Sequence, residues 1–155
     1  MYQKILVPVD GSPTSDHGLD EAIRLAKLCH GRLRLLHVVD ELSLAVSLTG
    51  ELSATLDWLG MLREGGARIL ARSAERVRAE GLEVEVVLVD TFQQRIPDVV
   101  ASDAAQWGAE LIVIGTHGRR GAERLFLGSD AEQVLRRAPV PVLMVPARQE
   151  GATAA

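Results

Sequence analysis

Several things are scarce in this chain. Cys29 is the one cysteine in 155 residues, so no internal disulfide can form and the composition fits a reducing compartment. Aromatic residues make up only 3%, too few for the stacking platforms that bind single-stranded nucleic acids. Positive charge is not in excess: the formal net charge is −4 and the pI about 5.6, where a nucleic-acid surface calls for a basic face. No apolar run approaches the roughly 18 residues of a membrane span. The opening MYQKILVPVD enters a strand-like run without a leader pattern. The expectation is a cytoplasmic protein with neither nucleic acid nor membrane as partner.

Hydrophobic residues, by contrast, are plentiful. They make up 47% of the chain against 25% charged, which suits one soluble domain with a sizeable core. Short apolar runs at 4–10, 32–40, 82–90, 110–118 and 139–146 read as strands. Between them lie helical patterns. Leu19, Ala22, Ile23, Ala26 and Cys29 share one face of a helix that Ser12, Thr14 or Ser15 starts and Gly31 ends, which puts Cys29 in the core. A second helix runs from about Ala67 to Gly81, with Gly65 and Gly66 marking its start, because two interior glycines cost about 2 kcal/mol relative to alanine. Residues 41–60 lack a clean period and read as a loop plus a short helix, packed rather than exposed. Further helices are expected near 97–107, with Pro97 in the first turn, and from Ser129 to about Arg137. Alternating strands and helices imply an α/β fold with a parallel sheet covered on both faces. The last strand, rich in proline, belongs at a sheet edge. The domain is expected to span 1–147, followed by a disordered tail, 148–155.

In such a sheet, ligands bind beyond the carboxyl ends of the strands where the strand order reverses. Three segments there end in polar residues or glycine: Val9-Asp10-Gly11-Ser12, His37-Val38-Val39-Asp40 and Gly115-Thr116-His117-Gly118. The third opens GTHGRRGAERLFLGSDAEQ, residues 115–133. Gly115 and Gly118 permit positive φ and close approach of backbone N–H groups to an anion. Gly128-Ser129 opens a helix whose free N–H groups favour phosphate. The spacing is neither a Walker A loop nor GxGxxG; it is Gly115-x2-Gly118-x9-Gly128-Ser129.

VPVDGS, LLHVVD, ELIVIGTHG, this glycine spacing and APVPVLMVP together resemble the universal stress protein family, over about residues 3–146. The glycine pattern is similar to that of the family's ATP-binding type. The resemblance implies a Rossmann-like, doubly wound five-stranded sheet of order 3-2-1-4-5. It also implies a homodimer paired through strand 140–146, and a role in stress response or nucleotide-dependent signalling with a protein partner that the sequence does not identify. Carried over by position, the nucleotide site would comprise Pro8, Val9, Asp10, Val38, Val39, Ile114, Gly115, Gly118, Gly128, Ser129 and Asp130. Asp10 would hold ribose; Gly118, Gly128 and Ser129 would hold phosphates. The ligand implied is ATP, or AMP or ADP, with Mg²⁺ as a candidate companion. Two features depart from the family pattern. Asp130 stands where a small or apolar residue is common, and VDTFQQRIPDVV replaces a Gly-x-Pro turn after the third strand. Two like unit charges 4 Å apart repel by about 4 kcal/mol at an effective dielectric of ~20, so a bridging cation would help phosphate bind beside Asp130.

Each residue also has a plainer role. Ser129 and Glu132 form a capping-box pattern, and Asp130 suits a helix's first turn. Asp10 is a good turn former before Gly11. Arg119, Arg120 and Arg124 suit a solvated loop as well as a phosphate clamp. His17, His30 and His37 are scattered without metal-ligand spacing, and His117 sits in the glycine loop without the partners of a catalytic group. Two rival functions are an interaction module that binds no nucleotide and a slow ATPase; no positioned base or nucleophile points to the latter.

Overall fold

The computed structural model describes residues 1–40, 52–91, 94–116 and 128–146. Five apolar runs form one sheet: β1 (Lys4–Pro8), β2 (Arg32–Asp40), β3 (Val84–Thr91), β4 (Leu111–Gly115) and β5 (Val142–Val145). The order is β3-β2-β1-β4-β5, and every neighbouring pair is parallel. Parallel neighbours need crossovers, and four helices supply them: α1 (Pro13–Cys29), α2 (Leu52–Ala79), α3 (Ile96–Trp107) and α4 (Ser129–Arg137).

The side-chain alternation of the strands divides the core in two. Ile5, Val7, Leu33, Leu35 and Val113 face α1 and α2, meeting Leu19, Ala22, Leu70, Ala74 and Val77. Leu6, Leu36 and Ile112 face α3 and α4, meeting Val99, Val100, Ala104, Trp107 and Val134. With helices on both sides, β1 and β4 read as nearly continuous apolar runs, and Arg34 and His37 interrupt β2. Between β1 and β4 the chain's progress across the sheet reverses, the kind of switch point beyond whose strand ends α/β sheets take ligands.

Local chemistry fixes most boundaries. Ser12 caps α1 by accepting from the Ser15 N–H, and Pro13 follows in the first turn. Gly81 and Gly108, at φ +74 and +69, terminate α2 and α3 in the left-handed region. The end of α1 differs from expectation. His30 takes the left-handed cap at φ 52, while Gly31 is needed because a Cβ there would lie 2.8 Å from the Tyr2 carbonyl oxygen. Cys29 is half-buried at the helix end rather than in the core. β5 begins at Val142, later than the apolar run suggested, since Pro139 and Pro141 have no N–H for the ladder. It lies at the sheet edge.

The largest difference concerns α2. It starts at Leu52 and runs through Gly65 and Gly66, so the glycines do not begin it. Residues 41–51 lie outside the described residues, as does the tail from 147. Gly66 is buried against the sheet: a Cβ on it would lie 2.5 Å from His37 Cδ2 and 2.9 Å from Leu88 Cδ1. Close helix–sheet approach, rather than a helix boundary, is the reason for that glycine.

At the amino ends of the strands an ionic cluster ties four elements together. Arg34 donates to Glu85 at 2.7 Å and to Asp103 at 3.2 Å, and its guanidinium lies 4.6 Å from the centroid of the Trp107 ring. The Trp107 indole donates to Glu85 at 3.1 Å, and Lys4 donates to the Trp107 carbonyl at 2.9 Å. The hydrogen bond from Arg34 is the main cause holding the Glu85 carboxyl below its ordinary value.

Candidate nucleotide site at the carboxyl ends of the strands

β1 delivers the chain to this switch point. After Pro8 the Val9 N–H donates to the Leu36 carbonyl at 2.9 Å, which extends the β2 contact by one residue. The Asp10 N–H donates to Ser15 Oγ at 3.2 Å, and Asp10 Oδ1 accepts from the Ser12 N–H at 2.9 Å. Gly11 between them has φ +78, a conformation that favours glycine. Asp10 is therefore a turn former, held by the first turn of α1.

β4 ends beside the same turn. A Cβ on Gly115 would sit 2.7 Å from the Thr14 carbonyl oxygen, and one on Gly18 would sit 3.2 Å from the Gly115 nitrogen. Gly115 does not adopt positive φ. The expectation of left-handed freedom there is corrected: its missing side chain lets α1 lie against the end of β4.

From β4 the site continues into α4. The Thr116 N–H donates to the Val145 carbonyl at 2.9 Å, and the Thr116 carbonyl accepts from the Gly128 N–H at 2.8 Å. That second bond sets the start of α4 against the end of β4. It also commits the Gly128 N–H, so Gly128 can serve an anion only by its small size. Gly128 is the N-cap and supplies no side-chain cap, which leaves Ser129, Asp130 and Ala131 with first-turn N–H groups lacking intrahelical partners. The capping-box expectation is overturned. The first helical bond runs from the Glu132 N–H to the Gly128 carbonyl, which puts Ser129 one position too late to cap. Glu132 instead accepts from Arg136 at 2.9 Å.

Pro8, Val9 and Asp10 thus stand at the end of β1, Val38 and Val39 near the end of β2, Ile114 and Gly115 at the end of β4, and Gly128, Ser129 and Asp130 at the start of α4. Val9 and Val39 are buried, while Ser129 and Asp130 are exposed. Gly118, His117, Arg119, Arg120 and Arg124 lie outside the described residues. The first-turn N–H groups of α4, which lack intrahelical partners, fit an anionic group, and the Ser129 hydroxyl and Asp130 carboxylate are oxygen donors of the kind that Mg²⁺ takes. Among the described residues no group of three or more His, Cys, Asp and Glu side chains could hold a metal by itself, and no helix is long and apolar enough to cross a membrane. A separate cleft of about 460 Å³ between α1 and α2 is lined by Asp20, Lys27, Arg76 and Glu80. Those charges are already paired, Lys27 with Glu80 and Arg76 with Asp20.

One residue of this region was missed in the sequence. His37 is 7% exposed and sits on β2 beneath the β1 turn, where its Nδ1 lies 2.7 Å from the Val9 carbonyl oxygen. A carbonyl only accepts, so Nδ1 carries the hydrogen. A lone histidine in an apolar strand was the available signal.

Comparison with known proteins agrees with this architecture. Residues 1–146 match the Universal stress protein family. A universal stress protein of Methanocaldococcus jannaschii is 33% identical over 145 residues, covering 94% of this chain and 82% of its own. A solved structure of another protein of that organism, MJ0577, superposes with a TM-score of 0.84 at 26% identity, covering 96% of this chain and 99% of its own. Two further structures share the fold with a TM-score of 0.66. One is a universal stress protein in complex with cAMP, 24% identical, with 95% of this chain and 98% of its own covered. The other, from Archaeoglobus fulgidus, is in complex with dAMP, 23% identical, with 93% and 98% covered.

Proposed function

This chain belongs to the universal stress protein family, and we propose that it is an ATP-binding member that acts in nucleotide-dependent stress signalling. The observation that carries the reading is the hydrogen bond from Gly128 to Thr116, which presents the open first turn of α4 beside the ends of β1 and β4. An anion at that turn meets N–H groups without intrahelical partners and the positive end of the helix dipole. The phosphates lie there, with Gly118 and Ser129 as their holders. Asp10 takes the ribose hydroxyls, and the backbone near Val38 and Val39 meets the adenine edge. The family relatives with cAMP and dAMP support an adenine nucleotide as the ligand class. β5 lies at the sheet edge with all four residues half-buried, and in our reading it pairs with β5 of a second copy.

ATP titration by calorimetry, with and without Mg²⁺, tests the proposal. Saturable binding that is lost in Gly118→Val supports the cradle. In Mg²⁺-free buffer Asp130→Asn should bind ATP more tightly than the parent, because it removes a negative charge from the phosphate end. Added Mg²⁺ should narrow the difference. Absence of binding to folded protein would move the reading to a dimeric interaction module, and phosphate release that needs Asp10 would move it to an ATPase.

A further inference from the structure

We infer that His37 is a positioning residue. Its imidazole, wedged between Gly66 of α2 and the Val9 carbonyl, fixes the Val9–Asp10 peptide and thereby the direction of the Asp10 carboxylate. The functional consequence rests on the nucleotide reading above; the positioning itself rests on geometry alone.

A peptide unit is planar, so the carbonyl of Val9 and the N–H of Asp10 turn together. Here both ends of the unit are held by side chains from different elements. His37 of β2 donates to the Val9 carbonyl at 2.7 Å, and Ser15 of α1 accepts from the Asp10 N–H at 3.2 Å. Rotation of the plane breaks both bonds. The next bond in the series, from the Ser12 N–H to Asp10 Oδ1 at 2.9 Å, then sets the carboxylate. No packing need calls for a polar ring at this place. Leu33 and Leu35 fill the same face of β2 with aliphatic side chains.

The opposite edge of the ring meets the backbone of α2. A Cβ on Gly66 would lie 2.5 Å from Cδ2 and 3.0 Å from Nε2, so the imidazole cannot retreat from Val9 without displacing the helix. His37 therefore couples the placement of α2 to the turn that presents Asp10.

The test uses the full chain and two readouts: amide hydrogen exchange at Asp10 without ligand, and ATP affinity by calorimetry. His37→Leu keeps bulk and removes the donor. His37→Asn places an amide nitrogen where Nδ1 was and its carbonyl oxygen where Cδ2 was, and removes Cε1 and Nε2. We expect His37→Leu to speed Asp10 exchange and weaken ATP binding about tenfold, as loss of a buried hydrogen bond would. His37→Asn should stay close to the parent. Gly66→Ala should behave like His37→Leu, and Gly65→Ala, whose Cβ meets nothing within 4 Å, should stay close to the parent in both readouts. Unchanged Asp10 exchange and affinity in His37→Leu would overturn the inference, as would His37→Asn behaving like His37→Leu. If the parent binds no ATP, the nucleotide reading fails and the exchange comparison alone decides the positioning role. If His37→Leu does not fold, Gly66→Ala beside Gly65→Ala makes the same comparison.

Discussion

Two adjacent glycines in α2 should respond in opposite directions to one substitution. Gly65→Ala and Gly66→Ala carry the same intrinsic gain, since alanine is favoured over glycine inside a helix by about 1 kcal/mol. An added Cβ at Gly65 meets nothing within 4 Å, so the full gain should appear, about 2–4 °C in Tm for a domain of this size. At Gly66 the new atom would lie 2.5 Å from the His37 ring and 2.9 Å from Leu88. Leu88 is 38% exposed, so the end of its side chain has room to swing aside. His37 is 7% exposed and has no such outlet. Forcing an extra carbon into a packed site costs about 1–3 kcal/mol. Losing the hydrogen bond to Val9 adds about 1–3 kcal/mol for the acceptor left buried. Set against the gain of about 1 kcal/mol, Gly66→Ala should lose roughly 1–5 kcal/mol. Urea unfolding followed by circular dichroism, with the m value checked for constancy, measures both variants. If Gly66→Ala proved as stabilised as Gly65→Ala, α2 would not approach β2 as described, and the argument about His37 would fall with it.

Three further outcomes follow from the same geometry. Gly115→Ala should destabilise by about 1–3 kcal/mol in denaturant titration, because its Cβ would lie 2.7 Å from the Thr14 carbonyl oxygen and both partners are backbone. Arg34→Met should lose on the order of 3 kcal/mol, since it strands Asp103, whose side chain is 15% exposed and has Arg34 as its ion-pair partner. Glu85 is held below its ordinary value of 4.5, chiefly by the hydrogen bond from Arg34. A lowered folded-state value means that its contribution is present above pH 4.5 and is lost as pH falls through the folded value. Melting curves taken down the acid range should therefore fall less steeply for Glu85→Gln than for the parent. Parallel curves would assign the acid loss to other carboxylates.

The fold was legible because the strands are long apolar runs and the helices are periodic. Even the bounds of α4 and the edge position of β5 could be read, from Ser129 to Arg137 and from the prolines before Val142. What escaped the sequence depended on distant partners. Gly66 looked like a helix boundary because its reason, His37, lies on another element. His37 looked scattered because its partner, Val9, is 28 residues away. Gly115 was read for backbone freedom, whereas Thr14 supplies the constraint. The capping box at Ser129 failed by one residue, because the bond from Gly128 to Thr116 makes Gly128 the start of the helix frame. Of the candidate site, the locations at the strand ends could be read; the reasons for individual residues could not.

The ionic cluster around Arg34 and Trp107 has a consequence for how such a protein can change over generations. It fastens β1, β2, β3 and α3 at the amino ends of the strands, the pole opposite the candidate site. The length of a strand separates this anchorage from the candidate site. Substitutions that retune recognition at one pole leave the anchorage at the other intact, and the stability reserve it supplies can absorb their destabilising effects. A lineage built this way can vary its strand ends while keeping one frame.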